Sequence, residues 1–443
     1  MGRIPIWFAS GALFALMATG AAPAAQASKD DEKLSKQVAK LDELFVKALS
    51  DLAQKYDLLK DPEAAHFLAS CALGFGSKDP KIAPIKAGWE LDLFIGKVRG
   101  GQVLKDTNPI DTALRGTAAE YKKLVDSLVE TAKRRGLVES TKAILHDCAI
   151  RYELARRAHE YIQAIQRFNA LRRAMGLRAV LWDFESSNRL ILAAWYTGET
   201  GDWEYEAPQK DSAYYSAVLE MAKEKTTRVF RTIKIVPDFL RSFALGREEL
   251  LNPNTRRLWL AHWSGGRSIE GVVVYAIPQL PYRDDIPTPS RRFKDETIVK
   301  DWVDTEDTVE IEGRKVPYVR YPYPDEPDAP WAFADGKEGI EGHWAKSEHG
   351  FLEKAGTPIM LRFFTEGSLA KLETTLTDKD GKQWPCRAYQ NGDKRVGMDP
   401  NWPTALLLPE KQLKVSTAYT VTVKCMLKGT AFEKSWTFTT RAK

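Results

Sequence analysis

The chain has little of what most often carries chemistry. It holds four cysteines and six histidines in 443 residues. No G-x-S-x-G, H-E-x-x-H, Walker or G-x-G-x-x-G pattern occurs, so the short signatures of hydrolase elbows, zinc helices and phosphate cradles are absent. It also lacks an excess of one charge: 65 Lys and Arg stand against 60 Asp and Glu, a net +5. Its basic runs, Lys133-Arg134-Arg135 and Arg172-Arg173, are short and fall in helical patterns. A nucleic-acid surface needs a concentrated basic stripe, usually with exposed aromatics. These runs therefore read as solvated helix faces, and no nucleic-acid partner is expected. Beyond residue 22 no stretch approaches the ~20 apolar residues that a membrane-spanning helix requires.

What is present begins with a leader. Arg3 gives a positive start, Ile4 to Ala22 is apolar and small, and Ala25-Gln26-Ala27 matches a small-x-small cleavage pattern. Residues 1–27 are expected to be a signal peptide, with the mature chain beginning at Ser28. It would have no transmembrane anchor after cleavage and would work in the periplasm or outside the cell. Export makes disulfides the natural use of Cys71, Cys148, Cys386 and Cys425. Pairing within domains, Cys71–Cys148 and Cys386–Cys425, is the simplest connectivity, and free buried thiols are the alternative. The spacings are too wide for a structural zinc site.

The length predicts two or three domains. The stretch from Tyr152 to Glu199 organises the middle of the chain. Leu154, Ala158, Tyr161, Ile165, Phe168, Leu171 and Met175 recur at three- and four-residue steps and so share one helix face. Gly176 ends that helix. Val180, Leu181 and Trp182 form an apolar extension, Asp183 can cap the next helix, and Leu190, Ile191, Ala194 and Trp195 turn inward before a stop at Thr197-Gly198. Upstream, helices are predicted over 31–59, 66–73, 82–95, 117–135 and 139–151, a helical region spanning 28–150. Downstream, a helix over 212–227 and strands over 229–236, 256–263 and 269–277 complete a middle segment, 151–277. Residues 278–350 are rich in proline and read as an extended linker with one small hairpin, 308–312 against 315–319. From 351 to 443, six alternating strands separated by turns argue a small β-sandwich.

At this point the chain resembles known families. The segment AIQRFNALRRAMGLRAVLWDFESSNRLILAAWYTGE looks like the opening of a CAP domain, the fold of cysteine-rich secretory, antigen 5 and pathogenesis-related proteins. Asn169, Arg172, Gly176, Leu177, Val180, Asp183 and Ala194 stand where that pattern places them. The segment DFLRSFALGREELLNPNTRRLWLAHWSGGRSIEGVVVY is similar to a later CAP section, and LPEKQLKVSTAYTVTVKCMLKGTAFEKSWTFTT resembles a bacterial Ig-like module. The resemblance implies an α+β fold: a helical N-terminal region, a CAP-like α-β-α sandwich and a C-terminal Ig-like β-sandwich. It also implies an emptied pocket. A CAP cavity usually carries two His and two Glu able to hold a divalent metal. No His stands near Ala194-Trp195, Phe243 occupies the place of another, and Glu199 and Glu204 are the acidic relics. His262 has no second His close in sequence. No catalytic residue, metal or cofactor is therefore expected.

The positive feature is aromatic. Trp195, Tyr196, Trp203, Tyr205, Tyr214 and Tyr215 gather around the second organising helix, with carboxylates beside them. Ring faces with acids suit sugar or peptide binding, and the competing reading is that they close the core. The expected ligand site is Trp195, Tyr196, Glu199, Trp203 and His262. The expected function is non-catalytic binding or scaffolding in the cell envelope or extracellular space, with a glycan, lipid or protein ligand. The alternative is a metal-dependent CAP-like hydrolase.

Overall fold

The computed structural model describes residues 29–94, 108–135, 137, 139–174, 179–200, 210, 212–215, 257–263, 271–277, 307–333, 351, 354–365, 367–393, 395 and 403–442, with the backbone alone for 257–263, 271–277 and scattered positions such as 167, 168, 171, 186, 190, 197 and 198. The expected leader, the strand at 229–236, Trp203 and the aromatic loop around it lie outside these residues. The fold is α+β, with helices towards the N-terminus and sheets towards the C-terminus. Among the described residues no helix is long and apolar enough to cross a membrane.

Six helices are described: α1 (Lys29–Leu58), α2 (Pro62–Gly74), α3 (Ile82–Phe94), α4 (Asn108–Arg135), α5 (Glu139–Ala174) and α6 (Phe184–Thr200). Asp61 caps α2, its carboxylate accepting the Ala64 N–H at 3.0 Å, and Pro62 opens the helix where its missing donor costs nothing. The stretches 139–151 and 152–174 are one helix of 36 residues, because no glycine or proline interrupts them. Two other helices outrun their sequence signals. α4 begins at Asn108 and runs through Gly116, where open space surrounds the backbone. α6 passes Gly198 and ends at Thr200. Phe45, Phe67, Leu68, Leu114, Tyr121, Leu145 and Tyr161 share one buried core. Gly74 answers a close approach: a Cβ there would lie 2.2 Å from the Phe184 ring.

A three-stranded sheet follows, ordered β1 (Leu181–Trp182), β2 (Arg257–Trp263) and β3 (Gly271–Ile277). β1 and β2 are parallel, with Trp182 opposite Leu258; β2 and β3 are antiparallel, with Trp263 opposite Gly271. α6 lies against β2.

Two further sheets form the C-terminal part. One has the order β4 (Thr308–Ile311), β5 (Arg314–Tyr321), β7 (Ile359–Phe363), β10 (Thr404–Pro409), β9 (Cys386–Gln390). The other has the order β6 (Glu326–Ala329), β12 (Thr430–Thr440), β11 (Ala418–Leu427), β8 (Leu369–Asp378). Leu361 and Phe363 of the first share a core with Val421, Val423, Trp436 and Phe438 of the second. The opposite face of the five-stranded sheet is also buried. Val319, Tyr321, Met360, Leu406 and Leu408 join the cluster that holds the helical core. Burial on both faces explains why LeuLeuLeu in β10 does not alternate.

The proline-rich stretch read as linker contributes β4, β5 and β6 to these sheets. Its prolines fit because Pro317 sits at a handover. Residues 314–317 of β5 pair with β4, and 318–321 pair with β7. The four cysteines are free thiols, so the expected Cys71–Cys148 and Cys386–Cys425 bridges are corrected. Burial pushes the Cys71 thiol up and that of Cys148 up to about 12, and both behave as small core residues. Cys386 and Cys425 lie on different sheets, and the Cys386 thiol is turned to the Trp384 carbonyl at 3.6 Å.

Candidate functional site

Two polar assemblies stand out in the helical part. The first is a seam between α2, α5 and the start of β1. Gln166 donates to both carboxylate oxygens of Asp61, at 3.0 and 2.8 Å. Asn169 accepts the Val180 N–H at 2.8 Å and donates to the Val180 carbonyl at 3.1 Å. It also donates to Glu63 at 3.3 Å, and Arg173 donates to the same oxygen at 2.7 Å. Asn169 and Glu63 are fully or almost fully buried, so these bonds satisfy groups that water cannot reach. Arg172 is buried as well, and burial pulls its guanidinium down to about 9. Two residues that carry the family resemblance thus meet the interior: Asn169 fastens β1 to α5, and Arg172 lies wholly inside. Higher on α5, burial pushes the Glu153 carboxyl up to about 7 against the pull of Arg157, 3.4 Å away.

The second assembly joins α5 and α6 to the turn 212–215, and it holds the aromatic site. Trp195 of α6 is half-buried. Its ring meets Tyr152 of α5 edge-on at 6.0 Å and Tyr214 of the turn at 5.8 Å. Tyr214 in turn stacks on His146 at 5.6 Å. Three hydrogen bonds hold the turn in place. Ser212 Oγ donates to Glu199 Oε2 at 2.5 Å and accepts the Tyr214 N–H at 3.1 Å. His146 Nε2 lies 2.8 Å from the Ala213 carbonyl, which makes it the protonated nitrogen. Burial lowers the His146 pKa, so the ring is neutral around pH 7. Burial also raises the Tyr214 pKa, helped by Glu199 and Asp126, so its hydroxyl keeps its proton.

The structure brings Trp195 and Glu199 to one turn. It does not bring Tyr196 with them: that ring is fully buried and belongs to the helical core. His262 lies on β2 opposite Val272, and its side chain is outside the described atoms. Sequence reasoning missed the roles of His146, Tyr152 and Ser212. His146 meets Ala213 across 67 positions, and no local pattern encodes such a contact. Among the described residues no three His, Cys, Asp or Glu side chains are grouped so as to hold a metal ion. No family model matches the chain, and neither the curated proteins nor the solved structures compared with it give a match.

Proposed function

We propose that the protein is an exported binding or scaffolding protein of the cell envelope or extracellular space. On this reading its middle segment is a divergent CAP-like domain emptied of its metal-binding set, followed by an Ig-like module. The observation that carries the reading is the ring cluster of Tyr152, Trp195, Tyr214 and His146, bordered by the Ser212–Glu199 pair. The polar groups there fasten the turn. Ser212 is held between Glu199 and the Tyr214 N–H, and His146 is held by a backbone carbonyl. Tyr152 and Tyr214 are buried, and the half-buried Trp195 with the exposed Glu199 one turn along α6 is the part open to recognition. The helix–strand–helix order of α5, β1 and α6 supports the CAP-like part of the reading. The facing C-terminal sheets support the Ig-like part.

The test is binding by the purified full chain, followed through tryptophan fluorescence, to arrays of glycans and envelope peptides. Binding that survives chelation and weakens about tenfold in Trp195→Ala is the expected result. Metal-dependent hydrolysis abolished by Glu199→Gln would replace this reading with that of a CAP-like hydrolase.

A further inference from the structure

The aromatic site holds two donors that the described residues leave unused. Trp195 Nε1 and the Tyr214 hydroxyl are buried and find no hydrogen-bond partner among them. Their rings are in contact, 5.8 Å apart, and Tyr214 is only 2% exposed. A buried donor without an acceptor is costly, and native proteins leave few of them. Two such donors on neighbouring rings are places that oxygen atoms from outside the chain, of water or of a ligand, would fill. An acyl chain offers none.

The electrostatics narrow the choice again. Glu199 and Asp126 both act on Tyr214 as negative charges. Among the described residues Lys122 is paired with Asp126 and Lys142 with Glu139, while Arg156 donates to the neutral Tyr152 hydroxyl. His146 is neutral, with Nε2 spent on Ala213. A phosphate headgroup or acidic peptide would meet repulsion from Glu199 and Asp126. Glu199 spends Oε2 on Ser212, which leaves Oε1 to accept a hydroxyl.

Resting on the binding reading above, we infer that this site takes an uncharged, hydroxyl-rich ring, the chemistry of a neutral glycan. The sugar lies against the Trp195 indole, its oxygens accept from Trp195 Nε1 and Tyr214, and one of its hydroxyls donates to Glu199. Sugars suit such a place because each hydroxyl both donates and accepts, while the carbon face of the ring covers an aromatic.

The experiment uses the full chain with 15N-labelled indoles, the Trp195 cross-peak being identified by its loss in Trp195→Phe. Neutral cello-, malto- and chito-trisaccharides are titrated beside a sialylated trisaccharide, an acidic tetrapeptide and phosphatidylglycerol vesicles. The expected result is a downfield shift of the Trp195 N–H with a neutral trisaccharide and none with the charged probes. Tyr214→Phe, which keeps the ring and the packing, weakens that binding about tenfold while the other indole signals stay in place. A Trp195 shift driven by the peptide or the vesicles alone overturns the glycan inference and leaves the binding reading standing. Unchanged affinity in a folded Tyr214→Phe overturns the hydroxyl contact. Silence of the Trp195 signal towards every probe overturns both the inference and the binding reading of this site.

Discussion

The helical and C-terminal parts join distant segments by different means. In the β part the backbone does it. β11 and β12 pair at ten successive positions, from Ala418 opposite Thr439 to Leu427 opposite Thr430, and every residue contributes. In the helical part the backbone bonds are spent inside each helix, so apolar contact and a few side chains must set the register. Gln166–Asp61, Asn169–Glu63 and Arg173–Glu63 span 105, 106 and 110 positions. Specificity in the helices is therefore concentrated in a handful of buried polar groups, whereas in the sheets it is spread along ladders. Single substitutions and pH should act strongly on the first and weakly on the second.

The sharpest way to break this contrast is Asn169→Ala. The change removes both bonds to Val180 and leaves a buried N–H and carbonyl unpaired. It should cost about 2–4 kcal/mol, since each stranded buried group costs about 1–3 kcal/mol. Denaturant unfolding followed by far-UV dichroism measures it. A loss below about 1 kcal/mol would mean that the seam is incidental and that apolar packing alone positions β1.

That seam also shows what the sequence could and could not disclose. The helices and the six C-terminal strands were legible because apolar spacing at 3.6 or 2 residues is a local signal. The partners of Asn169, His146 and Ser212 were not, because they depend on which helix face meets which segment, and that is decided by the assembled core. The prolines of 317–330 misled in a related way. Proline marks a place where a donor is missing, and at Pro317 the sheet's own handover from β4 to β7 makes that place available inside a strand. The aromatic cluster was visible as composition, but its division into Trp195 at the site and Tyr196 in the core was not. Neighbours on a helix lie about 100° apart, and the sequence does not say which direction faces the turn.

A comparable effect, of at most about 3 kcal/mol, is expected where the contrast meets pH, since each pKa unit is worth about 1.4 kcal/mol. The buried Glu153 carboxyl titrates at about 7 in the folded chain against an ordinary 4.5, with desolvation as the main cause. A group raised in the folded state binds its proton more tightly there than in the unfolded chain. Its stabilising contribution is complete below the lower value and is lost as pH rises through the upper one. The helical part should thus weaken between about pH 4.5 and 7 through this residue. Glu153→Gln retains an acceptor for the Tyr161 hydroxyl, which lies 3.2 Å from Glu153, and removes the titration. The variant should unfold later than the wild type at alkaline pH and show little difference in acid. Equal gains at both pH values would show that the residue acts through packing.

The smallest expected effect lies on the outer face of the four-stranded sheet. Lys424 and Glu433 stand opposite each other on β11 and β12, 3.0 Å apart, with about half of each side chain exposed. Water screens the pair and ordering two long side chains offsets its attraction, so Lys424→Ala should change stability by no more than about 0.5 kcal/mol. The backbone bonds at that position survive the substitution, because the ladder needs no particular side chain. Repeating the measurement in 1 M salt separates the sources of any residual change. If Lys424→Ala instead rivals Asn169→Ala, side chains rather than ladders hold the β part in register, and the division between the two regions disappears.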